Sequence, residues 1–391
     1  MARIKVIHII TRFDKGGSAE NTFLTVKGLD KNTYDILLII GASLESAMEE
    51  EERKAALYNL SDAEFSGVRI VTIENLVRNV HPLNDLCTFW TLISIFRKER
   101  PHIVHTHTSK AGILGRWAAW LSNVPVIIHT PHGHVFWGYF NKPVSFFYAL
   151  LEKWTARITD KIITLTVQEK KEHIRLGIAP DEKFEVIFSG ADLEPFLNII
   201  VDATELKKKL GIPNRALIIG SSGRLTAIKG YGYLIRAAKK IVSKQPDVHF
   251  IFLGDGELLN DLMITAKALG LEHHVHFLGW RKNVAKFMSL FDAFVLPSLN
   301  EGMGKVLVEA MALGKPIIAS HVGGIIDLVT HTHNGILVPP ADSDALEKGI
   351  QFLLDHPEER VRMGNEGRIK AKAYDADSMV RMIDHLYRKF A

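Results

Sequence analysis

Two carboxylates, Glu301 and Glu309, stand eight positions apart around a Gly302-Met303-Gly304 turn in Ser298-Leu-Asn-Glu-Gly-Met-Gly-Lys-Val-Leu-Val-Glu309. The spacing suits a ligand that is both anionic and rich in hydroxyls. The start of a helix offers unpaired N–H groups and the positive end of a dipole, and glycines let a phosphate come close. A diphosphate is therefore expected at Gly302 and Gly304, beside Lys305. The carboxylates accept hydrogen bonds only, so Glu301 is expected at the hydroxyls of a donor sugar and Glu309 at a ribose. Two glutamates at an arbitrary spacing would read as a loop glutamate and a helix glutamate in solvent. The order strand, turn, apolar helix, strand around them makes the site reading the stronger one.

Residues 301–316 run Glu-Gly-Met-Gly-Lys-Val-Leu-Val-Glu-Ala-Met-Ala-Leu-Gly-Lys-Pro. This resembles the retaining glycosyltransferases of family 4, whose hallmark is Glu-Gly-x-Gly-x-x-x-x-Glu-Ala-Met-Ala-x-Gly-x-Pro. The resemblance implies the GT-B fold, an α/β architecture of two Rossmann-like doubly wound domains facing across a cleft. It also implies transfer of a sugar from a nucleoside diphosphate with retention at the anomeric carbon. Family frequency favours UDP. Met303 stands where phenylalanine is frequent in the family and is expected to reshape the sugar pocket.

The elements that must position these residues follow from hydrophobic patterning. Short, nearly continuous apolar runs at 4–10, 35–40, 69–73, 103–106, 126–130, 162–166 and 185–188 alternate with helix-length amphipathic segments. A second series falls at 217–221, 249–253, 275–278, 294–296, 317–319 and 336–338. Unbroken apolar strands of this length predict parallel sheets covered on both faces. Two doubly wound domains follow, an acceptor-side domain at 1–195 and a nucleotide-sugar domain at 196–373, joined near the breakers of residues 189–198. In the family the last helix crosses back to the first domain. Residues 374–391 match that segment, with Met379, Met382, Ile383 and Leu386 at helical spacing.

In doubly wound sheets ligands bind beyond the carboxyl ends of the strands, so the other motifs are sought in strand-to-helix loops. Lys15-Gly16-Gly17 follows the first strand and looks like the family's glycine loop, which lies against the donor phosphate and sugar. His105-Thr-His-Thr-Ser-Lys110 closes a strand. Its histidines alternate onto one face with no nearby carboxylate or cysteine to complete a metal site, which argues against a metal. Ser109 and Lys110 are candidates for a polar acceptor headgroup, against the plain reading of an N-cap serine and a solvated lysine. His129-Thr-Pro-His-Gly-His134 resembles the family's active-site histidine segment, and the alignment gives His132 that role. His134 is the competitor and His129 is structural. Gly223-Arg224-Leu through Lys229-Gly230 resembles the segment whose Arg224 and Lys229 contact the donor diphosphate, where permanent charges stabilise a leaving anion. Gly254 and Arg281 are assigned to the base and ribose pocket.

Composition sets limits. The chain has 391 residues, 47% hydrophobic and 24% charged, with a formal net charge of +4. Neither half is strongly basic and no nucleic-acid module is evident, so nucleic acid is not expected as a partner. The lone Cys87 rules out an intrachain disulfide; its apolar helix predicts a core position, and the cysteine usage a reducing cytoplasm. The start reads as a strand and not as a signal peptide. No run reaches the roughly 18–20 apolar residues that span a bilayer. Asp342-Ser-Asp344 and Asp375-Ala-Asp377 fit an Asp-x-Asp metal pattern but lie at helix starts, where capping explains them. No cofactor or metal is expected.

Between 136 and 157, Phe136, Trp137, Tyr139, Phe140, Phe146, Phe147, Tyr148 and Trp154 interleave with Lys142, Lys153 and Arg157. Two readings stand side by side. One is a peripheral membrane surface at the inner face of the cell membrane, with a lipid-linked saccharide as acceptor. The other is a core beneath a long helix. At the level of activity, the alternatives to glycosyl transfer are a GT-B nucleotide-sugar epimerase, a retaining phosphorylase or starch-synthase-like enzyme, and a non-catalytic sugar-nucleotide-binding protein.

Overall fold

The computed structural model describes residues 3–13, 16–42, 50–133 and 142–390, with backbone alone at 50–55 and 142. The chain divides into two compact units, Met1–Gly190 with Ala376–Ala391, and Ala191–Asp375.

Among the described residues the first unit contains seven parallel strands: β1 Ile4–Ile10, β2 Tyr34–Gly41, β3 Arg69–Ile73, β4 Ile103–His107, β5 Val126–Thr130, β6 Lys161–Thr164 and β7 Phe184–Val186. Their order is β3-β2-β1-β4-β5-β6-β7. The second unit has six: β8 Leu217–Ser222, β9 Val248–Leu253, β10 Val275–Phe277, β11 Ala293–Leu296, β12 Ile317–Ser320 and β13 Gly335–Val338. Their order is β10-β9-β8-β11-β12-β13. All thirteen apolar runs read from the sequence are strands. Their ends shift by at most two residues; Thr166, for example, leaves the strand to cap the Val167–Arg175 helix by accepting from the N–H of Glu169.

Side-chain alternation sorts each central strand onto two faces. Val6 and Ile10 of β1 join a core completed by Met379, Ile383, Leu386 and Tyr387 of the last helix, Ala376–Arg388. Ile7 and Ile9 join a second core on the opposite face, under the helices Pro82–Glu99 and Ser109–Leu121. In the second unit, Phe250 and Phe252 pack with Ile235, Ala238 and Ile241 of the Tyr231–Lys244 helix.

One core expectation fails. Cys87 is exposed. The Pro82–Glu99 helix turns Thr88, Leu92, Ile93 and Phe96 inward, and Cys87 precedes that stripe by about 100° of helical rotation. No helix among the described residues is long and apolar enough to cross a membrane.

Candidate active site

Each sheet reverses its strand order at one place, between β1 and β4 and between β8 and β11. Loops leaving the carboxyl ends of strands on either side of such a reversal form a natural crevice. Candidate residues lie on the loops at these two reversals, with His132, Gly254 and Arg281 on loops after the nearby strands β5, β9 and β10.

In the second unit the loops are stitched together by backbone. After β8, Gly223 donates to Leu253 O at 2.9 Å and Leu225 to Asp255 O at 2.8 Å, while Gly254 donates to Gly279 O at 2.9 Å. Gly254 has φ +127°, and a Cβ there would stand 2.1 Å from Gly223 O. Only glycine permits this approach. Arg224 is exposed on the same loop, and Arg281 lies over the Phe287 ring at 5.3 Å.

On the β11 side, Leu299 donates to Ile228 O at 2.7 Å, which ties the loop carrying Lys229 to the loop carrying Glu301. Lys229 Nζ and Glu301 Oε2 are 2.6 Å apart, and Ser298 Oγ donates to the same oxygen at 3.0 Å. The sequence reading gave these two side chains to different parts of a ligand; the structure brings them together as a partly buried ion pair. Gly302 is exposed. Gly304, at φ +78°, caps the Lys305–Ala312 helix, whose N-terminus therefore begins on the loop that carries Glu301. Met303 is buried, and Glu309 is half-buried on the same helix. Asp342 caps the Ser343–Asp355 helix by accepting from the N–H groups of Asp344 and Ala345.

In the first unit, Gly16 caps the Gly17–Gly28 helix after β1, and a Cβ on Gly17 would meet nothing among the described residues. Lys15 lies outside them, as do His134, Phe136, Trp137, Tyr139 and Phe140. Thr108, and not Ser109, occupies the cap of the Ser109–Leu121 helix; Ser109 is its first residue. Lys110 is not a freely solvated lysine. Its ammonium donates to Asn79 O at 2.6 Å and pairs with Asp85.

His132 sits just beyond β5 with φ +59°, a conformation rare for a residue with a side chain. The next residue, Gly133, donates to Glu169 Oε1 at 3.2 Å, and Glu169 Oε2 accepts from Leu165 N at 2.7 Å. Glu169 thus clamps the turn that holds His132, a role the sequence reading did not foresee. His132 Nε2 meets His107 Nδ1 at 2.9 Å, and burial pushes the His132 imidazole down to about 3. The residue as a whole is half-buried while its Nδ1 is fully shielded, so the ring stays neutral at physiological pH.

His129 points to the other face. Its Nδ1 lies 2.9 Å from Thr106 Oγ1, and a Cβ on Gly112 would stand 2.5 Å from its ring, so glycine lets the Ser109–Leu121 helix close on the imidazole. Beneath it Arg116 donates to both oxygens of Glu152 at 2.7 Å. Burial works to raise that carboxyl, but the Arg116 charge and hydrogen bonds outweigh it and hold Glu152 well below the usual range.

Among the described residues one group could hold a metal ion by proximity alone: His8, His105 and His107, with ligand atoms within 4.8 Å of one another. His8 escaped the sequence reading because it lies inside a strand that is apolar apart from Lys5. Its partner is visible only in the register, which sets His8 opposite His105.

The Lys142–Ala156 helix buries Ser145, Glu152, Thr155 and Ala156 but leaves Phe146, Phe147, Leu150 and Trp154 exposed, Phe146 by 72%. Those aromatics are not core.

Residues 15–195 match the family described as Glycosyltransferase Family 4, and residues 202–370 match Glycosyl transferases group 1. The chain is 33% identical over 330 residues, 84% of each sequence, to UDP-Gal:alpha-D-GlcNAc-diphosphoundecaprenol alpha-1,3-galactosyltransferase of Escherichia coli. It is 28% identical over 328 residues to the capsular polysaccharide biosynthesis glycosyltransferase CapM of Staphylococcus aureus, covering 80% of this chain and 83% of that one. Among solved structures, Anabaena HepE in complex with UDP and glucose superposes with a TM-score of 0.83 at 21% identity, over 99% of this chain and 100% of that one. Sucrose-phosphate synthase of Thermosynechococcus elongatus does so with 0.79 at 20% identity, over 99% of both chains. With two parallel-sheet α/β units and these matches along most of its length, the chain belongs to the group 1, family 4 glycosyltransferases and has the GT-B fold.

Proposed function

We propose that the protein moves a hexosyl group from a UDP-sugar to a hydroxyl of a lipid-linked saccharide, with retention and without a metal. The observation that carries this reading is the Lys229–Glu301 pair at 2.6 Å beside the N-terminus of the Lys305–Ala312 helix at Gly304. A diphosphate seated there meets a cation, the exposed Arg224 and a helix N-terminus. Glu301 then accepts from a sugar hydroxyl, Glu309 from the ribose, and Gly254 and Arg281 border the base. Further support for donor and acceptor comes from the Escherichia coli relative, whose name gives UDP-Gal and a diphosphoundecaprenol-linked GlcNAc.

In the reaction the bond from the anomeric carbon to the diphosphate oxygen breaks and a bond to the acceptor oxygen forms on the same face. The acceptor's proton passes to the departing phosphate. Arg224, Lys229 and the amides near Gly304 stabilise the charge that develops on that phosphate, where electrostatic catalysis has its largest effect. His132, neutral, stands next to the reacting sugar, with Gly16 and Gly17 beside the donor and Ser109 and Lys110 on the acceptor side. The exposed Phe146, Phe147, Leu150 and Trp154, with Lys153 and Arg157, rest on the inner face of the cell membrane, where a lipid-linked acceptor would be met.

The test is thermal stabilisation by UDP-, GDP- and ADP-sugars, with and without chelator, on the wild type and on Arg224→Ala/Lys229→Ala. A ligand that binds only the folded state raises the melting temperature. Chelator-insensitive stabilisation by a UDP-sugar, lost in the double variant, is the expected result. No stabilisation at millimolar donor would sink the reading.

A further inference from the structure

Behind His132 runs an unbroken file of buried polar groups. His132 Nε2 meets His107 Nδ1 at 2.9 Å, and His107 Nε2 meets His8 Nδ1 at 3.0 Å. His8 Nε2 lies 3.3 Å from the Tyr387 hydroxyl, which lies 2.6 Å from His105 Nδ1. His105 Nε2 ends the file 2.7 Å from Thr130 Oγ1. Parallel register puts the strand members on one face: His8 opposite His105, and His107 opposite Thr130. Tyr387 comes from the last helix, which packs on that same face. His8, His105, His107, Thr130 and Tyr387 are each at most 2% exposed.

A buried imidazole stays neutral where water and carboxylates are excluded, and a neutral imidazole donates from one nitrogen and accepts at the other. A hydroxyl between two histidines donates to one and accepts from the other. The file therefore has two self-consistent polarities. In one, His132 Nε2–H donates to His107, every later group donates onward, and His132 Nδ1 presents a lone pair. In the other, every bond reverses and His132 Nδ1 presents a proton.

We propose that this hydrogen-bonded file fixes the tautomer of His132, and that Tyr387, from the far end of the chain, is a positioning residue that keeps the file continuous. Which ring nitrogen of a histidine is protonated follows from the bond made by the other nitrogen, and here that dependence passes through four further groups. Removing the Tyr387 hydroxyl leaves His132–His107–His8 and His105–Thr130 as two independent pieces. Three-histidine metal ligation is the competing use of His8, His105 and His107. The short bonds to Tyr387 and Thr130 already occupy both nitrogens of His105, which favours the file.

The test is long-range 1H–15N spectroscopy of the histidine side chains in ligand-free wild type, Tyr387→Phe and Thr130→Val, with the His132 signals assigned by their loss in His132→Gln. We expect one His132 tautomer in the wild type and a mixture in Tyr387→Phe, with chelator leaving the wild-type spectrum unchanged. Should Tyr387→Phe not fold, Thr130→Val, which frees the far end of the file, is expected to give the same mixing. An unaltered His132 pattern in a folded variant overturns the proposal. So does a stoichiometric metal whose removal shifts the His8, His105 and His107 signals. The consequence for turnover rests on the proposed glycosyl transfer, but these spectra need no donor, so a failed tautomer shift and a failed donor stabilisation are separate results.

Discussion

The two units share the strand order 3-2-1-4-5-6, to which the first adds a seventh strand, yet equip their switch points in opposite ways. The second unit uses permanent charge and bare backbone: Arg224, the Lys229–Glu301 pair, and glycines whose absent side chains let neighbouring loops touch. The first uses neutral imidazoles sealed from water and, besides the Lys110–Asp85 pair, holds the Arg116–Glu152 ion pair deep beneath the surface. On the proposed function, the difference lets one scaffold serve two kinds of ligand. Charges held near the surface suit an anion that arrives and leaves, whereas shielded neutral donors and acceptors suit hydroxyls.

The sharpest way to break that contrast is to remove one cation from each unit. Arg116→Met leaves Glu152 buried without its partner and is expected to cost about 3–5 kcal/mol, measured by urea unfolding. Lys229→Met removes a partly exposed partner and is expected to cost no more than about 1 kcal/mol while abolishing stabilisation by donor. Equal losses of stability would mean that the two pairs do the same job.

Acidification should separate the units as well. Burial holds the His8 imidazole at about 3, below its ordinary 6.5, with a smaller push from Lys31. The unfolded chain therefore takes a proton that the folded one refuses, and stability falls as pH drops from about 6.5 towards 3. Each such histidine contributes a slope of about 1.4 kcal/mol per pH unit. His105, His107 and His129 are pushed the same way by burial. Glu152, held low, adds a loss of the same sign below about 4.5. The second unit has fewer such groups, His249 at about 4 and His276 lowered less, both by desolvation. Hydrogen exchange at pH 5 and pH 7 should show the first unit opening preferentially at the lower value; uniform opening would contradict the comparison.

A third probe is Gly254→Ala. The new Cβ would press on Gly223 O and φ +127° would be strained, so the β8 and β9 loops must part. About 1–3 kcal/mol of stability and the donor-dependent shift in melting temperature are expected to go. The smallest effect on the fold is expected from Phe146→Ser/Trp154→Ser, since both side chains already face outward. Melting temperature should hold while sedimentation with anionic vesicles drops; unchanged vesicle binding would remove the membrane role from this helix.

Sequence patterning reached far into the fold because parallel strands covered on both faces must be apolar at nearly every position; the exposed edge strand β3 and the His-Thr-His end of β4 are departures that their apolar neighbours still made legible. The turn at Gly302–Gly304 and the capping by Asp342 were legible too, being local matters of φ and hydrogen bonding within a few residues. Helix faces were less legible. Cys87 and the aromatics of the Lys142–Ala156 helix sit on segments apolar enough to be core, and only the position of the sheet beneath decides which stripe turns inward.

The sequence by itself determined the alternation of elements and the glycines, cations and carboxylates at strand ends, because each follows from near-neighbour chemistry along the chain. Tertiary structure alone decided that Lys229 meets Glu301, that Lys110 is held by Asp85, and that Tyr387 reaches His8 across nearly the whole chain. Such pairings depend on strand register and helix rotation, which are set by the packing of residues far apart in sequence. No local pattern encodes them.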